Sequence, residues 1–232
     1  IILAIISAIS ILTTIAILFT LLTETITFFT RVPLSKFFLS GTWNPTGSSP
    51  EFGIWALIIG TLKITVIATI VAVPIGLGAA IYLNEYASDR SRRIIKPILE
   101  ILAGIPTIVF GFFALTFVTP ILRNLIPNLG EFNSISPGIV VGIMIVPMIT
   151  SMSEDAMSSV PDKIREGAFG LGATKFEVAT KVVLPAATSG VVASIVLGIS
   201  RAIGETMIVS LAAGSSPTSS LSLTSSIQTM TG

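Results

Sequence analysis

The chain has 232 residues, 52% of them hydrophobic and only 11% charged, with thirteen Lys and Arg against twelve Asp and Glu for a formal net charge of +1. Apolar stretches long enough to cross a bilayer recur along it, which excludes an ordinary soluble domain and points to a polytopic membrane protein. There is no histidine and no cysteine, so the commonest metal ligands, the usual nucleophile and base pairs, and disulfides are removed, and a membrane-embedded enzyme would have only Ser/Thr, Glu and Arg for its chemistry.

Hydropathy predicts an all-α transmembrane bundle with spans over Ile1 to Leu22, Ile54 to Leu83, Ile94 to Leu122, Pro137 to Ser153 and Ala186 to Ala213. The first apolar run is long and lacks a basic leader, which is unlike a signal peptide. In the second span Lys63 lies near one end and is expected to snorkel. In the third, Pro106 deprives the Leu102 carbonyl of its helical donor, so a kink is expected, and helix resuming beyond it would aim amides at an anion. In the fourth, Gly138-Ile-Val-Val-Gly142 is a small-xxx-small packing face. Five spans leave the chain ending outside in a Ser/Thr-rich tail, Ser215 to Gly232, and a sixth span is expected beyond it.

Eight of the thirteen basic residues lie in two loops: Arg90, Arg92, Arg93 and Lys96 in one, Lys163, Arg165, Lys175 and Lys181 in the other. By the positive-inside rule the loops 84–97 and 154–185 are cytoplasmic, and Trp43 and Trp55 then sit at the outer interface, Tyr82 and Tyr86 at the inner one. Glu100, Glu154 and Asp155 fall near cytoplasmic ends and are given no chemical role.

Between the fourth and fifth spans lies a polar island, Glu166 to Pro185 (EGAFGLGATKFEVATKVVLP). Val160-Pro161-Asp162 has the form of a helix start, with Asp162 and Glu166 near its positive end. Gly170 and Gly172 should break that helix. Thr174 and Glu177 form a capping-box pattern that starts a second one, and Pro185 marks the next boundary. The first helix presents Ile164, Ala168, Phe169 and Leu171 among charges, either to a groove on a partner or to the membrane lipid surface. No phosphate-cradling Gly-x-x-x-x-Gly-Lys-Ser/Thr run occurs, so any ATP that drives the protein binds another chain and no cofactor is expected on this one.

In the last span Arg201 and Glu205 are four residues apart, and with Ser194 and Gly198 they are expected to share one face of one helix. At a rise of 1.5 Å per residue, Arg201 lies about 22 Å from one end and about 18 Å from the other. A charge so deep faces a protein interior or a watery path. Arg201 offers a planar fork to an anion, with Glu205 moderating the attraction, or the two form a salt bridge that fixes helix packing.

The island resembles the cytoplasmic EAA loop of bacterial and archaeal ABC importer permeases, through Glu166, Gly167, Ala168, Gly172, Val182, Leu184 and Pro185. Gly167 stands where that family favours alanine, which loosens the helix by about 1 kcal/mol. Trp43-Asn-Pro45 with Phe52-Gly53, Tyr82 to Arg93 (YLNEYASDRSRR), Leu102-Ala-Gly-Ile-Pro106 with Phe110-Gly111, and Arg201-Ala-Ile-Gly-Glu-Thr-Met207 resemble the permeases of the phosphate importer, the PstC type more closely than the PstA type. The resemblance implies the type I ABC importer fold, with residues 1–53 as first helix and external loop and 54–232 as the permease domain carrying a coupling loop at 158–185. It implies a multi-pass protein of a bacterial or archaeal cell membrane, partnered by a second homologous permease, two ATP-binding subunits and an extracytoplasmic phosphate-binding protein. No nucleic-acid partner is implied. The substrate path would comprise Arg201, Glu205, Ser194, Gly198 and Pro106, and the ATPase coupling surface Ile164, Glu166, Gly167, Ala168, Phe169, Gly172, Thr174, Glu177, Leu184 and Pro185. A sulfate or molybdate permease of the same superfamily, and an ATP-independent anion channel or secondary transporter, stay open as alternatives.

Overall fold

The computed structural model describes residues 2–47, 49–217 and 219–232. It divides into two compact units, residues 1–55 and 56–232. In the first unit, α1 (Ile2–Arg31) runs nine residues past the expected end of its span; Ile1, where that span was expected to begin, lies outside the described residues. The extension follows from its threonines: Thr23, Thr25 and Thr27 donate their hydroxyls to the carbonyls of Phe19, Leu21 and Thr23 at 2.7–3.0 Å, so polar residues continue an apolar helix without an unpaired group. Beyond it come α2 (Leu34–Leu39) and a two-stranded hairpin of β1 (Trp43–Asn44) and β2 (Glu51–Phe52), paired Trp43 to Phe52 and Asn44 to Glu51. Edge-to-face contacts among Phe28, Phe37, Phe52 and Trp43 close this unit.

The second unit holds α3 (Trp55–Tyr86) from its second residue on, α4 (Asp89–Gly104), α5 (Thr107–Leu125), α6 (Ile135–Ser158), α7 (Asp162–Gly170), α8 (Lys175–Ala186), α9 (Thr188–Ile203) and α10 (Met207–Ala212). The helix α6 is the most enclosed of the long apolar ones, and Val140, Val141, Ile145 and Ile149 have no exposed surface. Around it gather Ile64, Ala68 and Ala72 of α3, Phe110 and Ala114 of α5, Ala202 of α9 and Ile208 of α10. Glycine permits the contact. A Cβ on Gly142 would lie 2.9 Å from the Ala68 carbonyl oxygen, and one on Gly198 would lie 2.9 Å from the Ile149 side chain. Ser153 and Ser194 then share a 2.6 Å hydrogen bond between α6 and α9, and the Thr150 hydroxyl donates to the Gly76 carbonyl at 3.2 Å.

Three expectations about breaks in this unit are corrected. The third span is two helices: α4 ends at Gly104, Ile105 turns to extended backbone, and α5 starts beyond Pro106. The reason is compositional, because Asp89 to Lys96 make the first half of α4 too polar for hydrocarbon, and the residue before proline avoids the helical region. Pro185 does not end its helix. A π-helical stretch, Val178–Val183, precedes it, and α8 runs on to Ala186 before a 76° bend into α9. The last span also stops early, with α9 ending at Ile203 and α10 starting at Met207.

Residues 214–232 carry no regular structure among those described, yet they are packed into this unit. Ile227 is fully buried, its amide bonds to the Ala213 carbonyl at 3.0 Å, and Leu223 O accepts from Ser134 N. Lys63 does not snorkel: it is 8% exposed and donates to the carbonyls of Ser220 and Ser222.

The glycine contact gives a direct prediction. Gly142→Ala is expected to cost about 1–3 kcal/mol through backbone displacement, lowering the thermal unfolding midpoint in detergent. Gly78→Ala, where a Cβ meets nothing within 4 Å, should leave that midpoint unchanged or slightly raised.

Candidate functional site

The helix α9 turns Val191, Ser194, Gly198 and Ala202 into the core against α6. Ser194 and Gly198 are therefore parts of a packing seam, with the Ser194 hydroxyl also donating to Val191 O at 2.8 Å. Arg201 lies at the edge of that seam and is exposed, and no carboxylate pairs with it among the described residues. Glu205 is not its partner on one helix face. The Gly204 amide closes α9 on the Ser200 and Ala202 carbonyls, which takes Glu205 off the helix. Glu205 is instead buried, 7% exposed, where its Oε1 accepts the Ile208 amide at 3.3 Å near the start of α10. Its backbone carbonyl accepts from the Thr231 hydroxyl at 3.1 Å. Pro106 is exposed at the break before α5, and the Leu102 carbonyl that it deprives takes the Ile105 amide at 3.4 Å instead. The five expected path residues thus fall into a seam (Ser194, Gly198), a break (Glu205), an exposed cation (Arg201) and a separate helix start (Pro106).

The polar island is built as two helices around one turn. The α7 helix ends where Gly172 takes φ of +85°, a conformation that favours glycine, and the Ala173 amide reaches back to the Ala168 carbonyl at 3.2 Å to satisfy the helix end. At the start of α8, the Thr174 hydroxyl accepts the Glu177 amide at 3.4 Å while the Glu177 carboxylate accepts the Thr174 amide at 3.1 Å. The Thr188 hydroxyl caps the other end of α8, donating to Leu184 O and Pro185 O.

The result presents an apolar ridge. Ile164, Phe169, Leu171 and Phe176 are exposed, Leu171 to 91%. Ala168 is not on that ridge: it packs inward, as Leu184 does, against the buried cluster that includes Met157, Val160 and Val183. Glu166 and Gly167 are exposed beside the ridge, and a Cβ on Gly167 would meet no atom within 4 Å. Phe176 was missed in the sequence because it falls between the Thr174 and Glu177 of the capping box and completes no apolar period.

Sequence reasoning also missed the charges at this end of the unit. Glu154, 1% exposed, lies 2.6 Å from Lys96 Nζ and 4.0 Å from Arg92 Nε, which joins α6 to α4. Arg165 reaches Glu85, Asp162 and two backbone carbonyls. The only available signal was the acidic character of Glu85 and Glu154 at span ends, which says nothing of their partners.

At Glu177, the Thr174 amide first, then Lys181 and the Thr174 hydroxyl, hold the carboxyl below the usual 4.5, at about 2. A depressed carboxyl stabilises the fold above its unfolded pKa, so its contribution to the start of α8 is complete above about pH 4.5 and is lost as pH falls through about 2. Acidification from pH 7 to pH 5 should leave the protection of the amides at 174–178 unchanged once exchange is corrected for its intrinsic pH dependence. Thr174→Ala at pH 7 should weaken the helix start by about 1 kcal/mol and speed exchange there.

Residues 72–232 match the family described as the binding-protein-dependent transport system inner membrane component. A probable ABC transporter permease protein, YqgH of Bacillus subtilis, is 38% identical over 180 residues, 77% of this chain and 58% of that protein. The phosphate transport system permease protein PstC of Haemophilus influenzae is 37% identical over 200 residues, 78% of this chain and 63% of that protein. The chain thus spans about three fifths of the length of these curated relatives. Among solved structures, a chain of the MetNI methionine ABC transporter in inward-facing conformations is 21% identical with a TM-score of 0.50, over 66% of this chain and 68% of that one, a likeness of fold. The chain is a multi-pass membrane protein that belongs to the family of binding-protein-dependent transport system inner membrane components.

Proposed function

We propose that this chain is the PstC-type permease of an ATP-driven inorganic phosphate importer in a bacterial or archaeal cell membrane. The observation that carries the cargo is Arg201: an exposed guanidinium on an apolar helix that, among the described residues, pairs with no carboxylate. Such a charge is costly toward lipid, so it faces a path or a partner subunit, where its fork attracts an oxyanion. The name of the relative from Haemophilus influenzae supports phosphate as that oxyanion. Glu205 acts as a positioning residue that holds the break between α9 and α10, and Ser194 and Gly198 keep α9 tight on α6 behind Arg201.

The drive enters at the ridge of Ile164, Phe169, Leu171 and Phe176. The basic residues clustered at 84–97 and 154–185 support a cytoplasmic position for it. An ATP-binding subunit seats on the ridge, with a second on the homologous partner permease, and a phosphate-binding protein delivers cargo from outside. Closure of the ATP-binding subunits displaces α7 and α8, and the spans rock so that the path opens inward.

In the reconstituted complex, Arg201→Ala is expected to lower phosphate uptake by about a hundredfold while the subunits still assemble; normal uptake overturns the role. Competition by sulfate or molybdate as strong as that by unlabelled phosphate overturns the cargo. A cysteine at Leu171→Cys should crosslink to the ATP-binding subunit, and an active, assembled complex with no such crosslink counts against the docking surface.

A further inference from the structure

The guanidinium of Arg165 joins three elements, and its position suggests more than support of the loop that carries it. Arg165 belongs to α7, and its side chain, 14% exposed, turns inward to the ends of α3 and α6. Its Nη2 donates to Met157 O at 2.7 Å in the last turn of α6 and its Nη1 to Val160 O at 2.6 Å two residues beyond that helix, so its charge sits at the negative C-terminal end of α6. Its Nε lies 3.3 Å from Oε1 of Glu85, whose side chain is 9% exposed. The remaining contact, with Asp162 at 2.9 Å, is made to a carboxylate 87% exposed and contributes little.

Glu85 is itself held in place. Asn84 Nδ2 donates to its Oε1 at 2.6 Å, and Asn84 Oδ1 accepts from the Ser158 hydroxyl at 3.0 Å. The turn that carries both residues, Tyr82–Tyr86, is π-helical, with the Ala87 amide bonded to Tyr82 O at 2.8 Å. That widened turn offers Leu83 O and Asn84 O to the guanidinium of Arg92 on α4 at 2.7 and 3.3 Å. The end of α3 is thereby gripped from two sides, by Arg92 of α4 and by Arg165 of α7. A pair so shielded costs more to separate than a surface ion pair, because water screens it less.

We propose that the Glu85–Arg165 pair is the joint through which displacement of α7 is transmitted to α3, making Arg165 and Glu85 positioning residues of the transport cycle. The proposal rests on the reading of α7 as the element that an ATP-binding subunit moves. When α7 is pushed, its exposed apolar side chains receive the force and the inward-turned Arg165 delivers it to the end of α3 and to the Met157 carbonyl in the last turn of α6. Without the pair, α7 can move while α3 stays.

The test uses the whole complex in vesicles. Glu85→Gln keeps the size and removes the charge; Arg165→Lys keeps the charge and removes the fork. Each is expected to lower the phosphate moved per ATP hydrolysed by about tenfold, with ATP hydrolysis within about twofold of the parent. In a complex freed of other cysteines, spin labels at Lys163→Cys on α7 and Ile70→Cys on α3 can read the joint directly. In the parent their separation should be the same with and without ATP and vanadate, and in Glu85→Gln it should change on trapping. An unchanged transport ratio in Glu85→Gln, uptake and hydrolysis falling together, or a label separation that stays fixed in Glu85→Gln overturns the proposal. If Arg165→Lys fails to assemble, Glu85→Gln decides alone. An unsubstituted complex that hydrolyses ATP without importing phosphate overturns the phosphate reading instead, and the label separations then decide on the joint.

Discussion

In hydrocarbon there is no hydrophobic drive to bring apolar helices together, so the second unit depends on how closely its helices approach α6. That approach is set at glycines and small polar residues: Gly142 against the Ala68 carbonyl, Gly198 against Ile149, and Ser153 against Ser194 at 2.6 Å. Dispersion and short hydrogen bonds both fall away steeply with distance, so a single added methyl at such a contact acts along the whole seam. An axis packed in this way moves as a body or not at all. Motion of the helices around it must therefore be concentrated at their breaks.

Three breaks meet that need, and each satisfies its backbone differently. Between α4 and α5 the chain leaves the helix at Ile105, and the freed carbonyl of Leu102 takes the Ile105 amide. Between α8 and α9 it bends by 76° at Ala187, where the Thr188 hydroxyl takes up two carbonyls. Between α9 and α10 the Glu205 carboxylate receives an amide of the next helix. Each break has a partner for its exposed groups, which lets irregular backbone persist within an apolar unit.

How much of this could be read from the sequence depended on whether the signal was local. The helix start at Asp162, the glycine turn and the Thr174–Glu177 capping box are fixed by residues within four positions of one another, and all three are present as expected. The pairing of Arg201 with Glu205 failed for an equally local reason: four-residue spacing places two side chains together only while the helix continues, and Gly204 ends it. Lys63 was misread because the carbonyls that hold it belong to residues 220 and 222, which no window along α3 contains. Glu85 and Arg165 are likewise 80 residues apart. Apolar periodicity tells which face is buried. It carries no information about which charges meet at helix ends.

The distribution of satisfied charges bears on Arg201. At the end of the unit formed by α4, α7 and α8, Arg92, Lys96, Arg165 and Lys181 each have a carboxylate within 4.0 Å. Lys63, within α3, has backbone carbonyls. Arg201 stands on an apolar helix with neither among the described residues. A cation kept only for packing would be cheapest when paired, as those others are, because every missing partner adds to the cost of holding it away from water. Glu205, four residues on, was available for that purpose, yet its carboxylate is turned inward to an amide of α10. A fork left open in this way is free to attract an oxyanion, as the proposed phosphate path requires.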